Sequence, residues 1–160
     1  MKDETLEEFV RRVSFYAEKI FNKMHVFRPM LHFVSATGEA GIAAIIADDK
    51  DGAAEAMRAL LKEKLAVRVA FIDECWIKTF PLDASETEIL HSYQIGLRND
   101  PKRIEALMIT AEDANGKQIM AHRVIERPVG HKPYLAALQI SDGPTEGRFS
   151  NLLTPQGSLH

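Results

Sequence analysis

Apolar residues first recur at helical spacing. Leu6, Phe9, Val13, Ala17, Ile20 and Met24 fall on one face of a segment whose other face is charged. Thr5, with Glu8 three residues later, is the capping-box signature of a helix start, so the spacing predicts a helix through about Lys23. Pro29 breaks the period, because the residue before proline avoids helical angles, and Met30 to Ser35 read as a strand. Ala-Thr-Gly-Glu-Ala-Gly over residues 36–41 is a turn, and Gly41 to Ala47 follows as a second strand. So short a connection allows only a hairpin, which makes the two strands antiparallel. The acidic run Asp48-Asp49-Lys50-Asp51 then opens a helix from Ala53 to Leu65, with Ala53, Met57, Leu60, Leu61 and Leu65 as its apolar stripe. Carboxylates at that position cap free backbone NH groups and complement the helix dipole.

From Ala66 to Lys78 an apolar strand runs without a break into two carboxylates, the only cysteine and the only tryptophan. Alternation puts Val67, Val69, Phe71, Asp73, Cys75 and Ile77 on one face, and Arg68, Ala70, Ile72, Glu74, Trp76 and Lys78 on the other. Asp73 and Glu74 therefore do not form a side-by-side carboxylate pair. Between Thr79 and Arg103 no period is sustained, apart from a short helix after Ser85, whose Glu88 stands at capping-box spacing. A connection of this length in a compact domain tends to be a lid, a binding loop or an interface element. Ile104 to Glu112 and Gln118 to Glu126 are strands joined by Asp113-Ala114-Asn115-Gly116, whose Asn-Gly is a hairpin signal. Tyr134 to Ile140 reads as the last strand.

The elements add up to an α+β fold: a mostly antiparallel sheet of five to six strands with two main helices packed on one face. Their order is α-β-β-α-β-loop-β-β-β over residues 1–140, and residues 141–160, rich in Ser, Gly, Pro and Thr, form a C-terminal arm. At 160 residues the chain can bury a core without staples. A hydrophobic content of 46% with 27% charged residues is that of a folded globular chain. Cys75 alone allows no internal disulfide, and the start Met-Lys-Asp-Glu-Thr lacks the apolar core of a signal peptide, so the expected compartment is the cytoplasm. The longest apolar run, Gly41 to Ala47, is too short to cross a bilayer. A net charge of −3 supplies no general attraction to nucleic acid or to an anionic membrane, so neither is an expected partner.

Motifs of known chemistry are missing. Nothing matches the glycine-rich phosphate loops, and the six histidines include no His-x-His or His-x-x-x-His pair, so no cofactor and no metal are expected. Cys75 lies on the Val67, Val69, Phe71 face, where a thiol is buried and inert. The best candidate region is the exit of the strand ending in Lys78 together with the loop that follows it. It holds Asp73, Glu74, Trp76, His91, Tyr93, Arg98, Asn99 and Asp100 as ligand-binding candidates, because loops positioned by a rigid sheet carry function more often than sheet interiors do. Two functions compete. One is a non-catalytic interaction or small-ligand-binding domain that forms a homo-oligomer and meets a protein partner or a small anion. The other is a small hydrolase or transferase with Asp73 or Glu74 beside His91 as acid and base and Arg98 as an anion clamp.

Overall fold

The computed structural model describes residues 3–45, 49–142 and 150–153. Helix α1 spans Leu6–Met24, and its start has the expected chemistry: Thr5 Oγ1 accepts from the Glu8 amide while Glu8 reaches back to the Thr5 amide. Strands β1 (Met30–Ser35) and β2 (Ala40–Ala44) form the antiparallel hairpin. The expected extension of β2 over residues 46 and 47 lies outside the described residues. Helix α2 covers Lys50–Glu63, capped by Asp49, whose carboxylate accepts from the Gly52 amide at 2.6 Å. Strand β3 (Ala66–Ile77) is followed by helix α3 (Glu86–Ile95), a single 3-10 turn at Leu97–Asn99, and strands β4 (Ile104–Asp113) and β5 (Gln118–Glu126). Asp113 Oδ1 accepts from the amides of Asn115 and Lys117, and Gly116 takes the left-handed φ of +83° that closes the β4–β5 turn.

All strand pairs are antiparallel, in the spatial order β2-β1-β3-β4-β5, with two short strands on the far side of β5. These are β6 (Tyr134–Leu135) and β7 (Gln139–Asp142), the two halves of the single last strand expected from sequence. Their registers against β5 differ by one residue: Leu135 faces Ile125, whereas Ile140 faces Ala121. The break between them is a bulge filled by Arg123, whose guanidinium donates to the carbonyls of Leu135 and Ala136 and pairs with Glu18 on α1.

The α+β class and the order of elements agree with the sequence reading; the placement of the helices differs. Leu6, Phe9, Val10, Val13, Ala17 and Phe21 of α1 pack with Ala70, Ile72, Leu107 and Ile109. Ala53, Met57 and Leu61 of α2 pack instead with Leu31, Phe33, Val69 and Phe71. Residues 69 and 71 alternate with 70 and 72 along β3, so the two helices cover opposite faces of the sheet rather than one. The physical reason lies in β3 itself, which is apolar at odd and even positions alike and needs a cover on both sides. On the α2 face the ring of Phe33 lies directly over Gly41 of β2. A Cβ at residue 41 would sit 2.2 Å from the ring, so glycine is required there by close approach.

The smaller α2 layer is completed by residues 150–153 of the C-terminal arm. Leu152 is buried in it, Glu112 Oε1 accepts from the amides of Leu152 and Leu153, and Gln118 Nε2 donates to Asn151 Oδ1 at 2.7 Å.

Candidate functional site

The chain leaves the sheet after β3 and returns at β4, and nearly everything between stands proud of the fold. Ser85 and Glu88 form the second capping box, with Ser85 Oγ accepting from the Glu88 amide at 3.2 Å, and the Gly96 amide closes the helix onto Ser92 O. Of its ten residues α3 buries only Ser92. Leu90 is 51% exposed and Tyr93 81%, while Leu82 before the helix and Leu97 after it are exposed as well.

This excursion is tied down from inside. Lys78, just beyond β3, extends its ammonium to Ser92 Oγ and to Asp100 Oδ2, each at 2.5 Å, with Ser92 Oγ 3.2 Å from the same carboxylate oxygen. The ammonium also stands 4.9 Å from the centre of the Phe80 ring. Asp100 is almost fully buried, and its other oxygen accepts from the Lys102 amide at 2.8 Å. The Lys78 hydrogen bond foremost, then that of Lys102, holds the Asp100 carboxyl below the usual carboxylate range. Lys78 is therefore a donor to Ser92, not a base for it, and Asp100 is a weakened base. The three groups form a latch between strand exit, helix and returning loop, and they do not constitute an activated nucleophile.

Two clefts open on either side of the latch. One, of about 370 Å³, is bordered by Pro81, Glu88, His91, Ile95 and Lys102; the other, of about 530 Å³, by Ile89, Tyr93, Gly96 and Leu97, with Phe80 common to both. Of the eight residues expected from sequence, His91 and Asp100 thus share a cleft and Tyr93 lies in its neighbour. The rest are held elsewhere. Glu74 Oε1 accepts from the Phe27 amide at 2.5 Å. Asp73 accepts from the Glu74 amide on the opposite face, and burial raises its carboxyl above the ordinary value. Trp76 carries the Arg103 guanidinium 4.5 Å from its ring centre. Asn99 Nδ2 donates to the Ile95 carbonyl at 3.3 Å, and Arg98 is exposed on the 3-10 turn. Neither Asp73 nor Glu74 borders the cleft of His91.

Cys75 is half-buried, and burial first, then Asp73, pushes its thiol up to about 11, which leaves it protonated at neutral pH. Among the described residues no group of three or more His, Cys, Asp or Glu side chains is arranged to hold a metal ion, and no helix is long and apolar enough to cross a membrane. Lys78 and Ser92 were not among the sequence candidates. Fourteen positions apart in different elements, they carry no shared motif, and only folding shows that they meet. Comparison with protein-family models, curated proteins and solved structures found no match.

Proposed function

We propose that this protein is a non-catalytic interaction domain of the cytoplasm that associates with itself through the α3 platform. The observation that carries this reading is the contrast within α3. It is a helix capped at both ends and latched to the sheet through Lys78, Ser92 and Asp100, yet it turns Leu90 and Tyr93 to the outside. Ordering such a segment costs conformational entropy that its own buried surface does little to offset, and a second surface laid over it would supply the missing burial. Tyr is also a residue type that interfaces favour, since its ring is large, stiff and amphipathic. The hydrolase alternative draws no support from the geometry. Its carboxylates are engaged away from His91, and the Ser92 hydroxyl accepts a hydrogen bond from the Lys78 ammonium, which is no base for it.

Light scattering coupled to size-exclusion chromatography at micromolar concentration tests the proposal. The expected result is an oligomer for the natural chain and a monomer for the double variant Leu90→Asp, Tyr93→Asp, with unchanged circular dichroism. A natural chain that runs as a monomer would end the self-association reading. An oligomer indifferent to both substitutions would remove α3 as its surface.

A further inference from the structure

Residues 150–153 of the C-terminal arm rest in a groove that has the properties of a peptide-binding site. Its floor is Leu61 and the apolar α2 face of the sheet, into which Leu152 is sunk. Its polar wall is the Glu112 carboxylate, which accepts from two successive backbone amides of the arm. Arg58 on the opposite wall donates to the Ser150 carbonyl at 3.3 Å, and Gln118 meets the Asn151 side chain. Pairing of main-chain groups on both walls with one apolar side chain in a pocket is how extended peptides are held in general.

Two features show that the groove offers more than the arm uses. A cavity of about 350 Å³ remains between Arg58, Leu61, Lys62 and Leu65 on one side and Leu152 and Leu153 on the other. Arg58 Nε is buried and, among the described residues, has no hydrogen-bond partner. Burial also raises the Glu112 carboxyl above its ordinary value, the two arm amides opposing that shift, so the carboxylate depends on an occupant for its stabilisation.

We infer that this groove is a peptide-docking site which the chain's own Ser150–Leu153 segment fills in cis, and which accepts the same segment from a second copy when the cis segment withdraws. Among the described residues, the contacts that hold the arm are made by residues 150–153 with the body of the fold, so a second copy can deliver them. Seven residues separate Asp142 at the end of β7 from Ser150. Covalent attachment gives the cis segment the advantage over a segment from solution, which is why the trans segment enters only an emptied groove. The site is remote in sequence and in lining residues from the α3 platform, and its fate is independent of that surface.

The experiment uses the full-length chain and a synthetic peptide of residues 148–155 as the stand-in for a second copy's arm. Leu152→Asp empties the groove. The peptide is expected to bind this variant at least tenfold more tightly than the natural chain, by fluorescence anisotropy, and the further change Glu112→Ala is expected to abolish the gain. Equal binding to the natural chain and to a folded Leu152→Asp variant would overturn the inference. Should Leu152→Asp fail to fold, amide hydrogen exchange on the natural chain decides. Exchange of the Leu152 and Leu153 amides through an opening far more frequent than that of the β3 and β4 amides supports withdrawal of the arm, whereas equal protection means the arm leaves only on global unfolding and overturns it.

Discussion

Helices α1 and α3 begin with the same chemistry and end in opposite circumstances. Thr5 with Glu8, and Ser85 with Glu88, build capping boxes with the same donors and acceptors. Yet α1 buries seven residues over 19 positions, and α3 buries Ser92 alone over ten. Capping fixes where a helix starts; the spacing of apolar side chains decides whether it docks. In α1 the large side chains recur every three or four residues and fall on one stripe. In α3, Ile89, Leu90 and Tyr93 make one short apolar arc, but Leu90 and Tyr93 are left outward, Ser92 is the residue turned in, and a polar latch replaces a hydrophobic seam.

That difference is broken most severely at the seam. Phe9→Ala removes a fully buried ring from the α1 layer and is expected to cost about 3–5 kcal/mol in urea denaturation. Leu90→Ala on α3 should cost less than about 0.5 kcal/mol in the same measurement. Comparable losses from both would mean that α3 is part of the cooperative core after all.

The next effect comes from the histidines. His32 of β1 is 3% exposed and its Nε2 has no partner among the described residues. Burial, and then the Arg12 cation of α1, brings its pKa down from 6.5 to about 4. In the unfolded chain the imidazole takes up a proton near pH 6.5, whereas in the folded chain it resists until near pH 4. Stability that is complete above pH 6.5 therefore drains away as the pH falls toward 4, by about 3 kcal/mol in all. Between pH 6.5 and 4 the unfolding free energy of the natural chain should fall by about 3 kcal/mol more than that of His32→Leu, because the variant lacks this term. Parallel profiles for the natural chain and His32→Leu would show that some other group governs acid stability.

The mildest test compares the caps themselves. Thr5→Ala should lower global stability by about 1 kcal/mol, since α1 unfolds with the sheet. Ser85→Ala removes the equivalent hydrogen bond, from the Glu88 amide to the hydroxyl, but should speed amide exchange only within α3, with the denaturation midpoint unmoved. Equal shifts of the midpoint would place both helices in one folding unit.

Much of this contrast could be read along the chain. Both capping boxes, the Asn-Gly hairpin, the strand that ends in Lys78 and the α+β order depend on local patterns, and they appear in the structure where those patterns stand. The opposite placement of α1 and α2 is encoded in β3, where Ala70 and Ile72 are as apolar as Val69 and Phe71, but it follows only when both faces of the strand are counted. What the sequence could not display are meetings across distance. Lys78, Ser92 and Asp100 are ordinary residues until folding brings them together, and Leu152 sits in a segment without any periodicity. Glu74 and Asp73 were attractive as carboxylates near a loop, yet backbone amides of residues 27 and 74 had already claimed them.

The split last strand has a consequence for how these molecules behave in a crowd. A sheet normally ends in a row of unpaired NH and CO groups onto which a stranger's strand can add, and repeated addition grows fibrils. Here the row beyond β5 is cut into pieces of two and four residues, out of step by one, with the Arg123 guanidinium occupying carbonyls at the interruption. A straight incoming strand can follow one piece or the other, never both. One margin of the sheet is thereby closed to runaway growth, and promiscuous strand addition is left to the five-residue margin at β2.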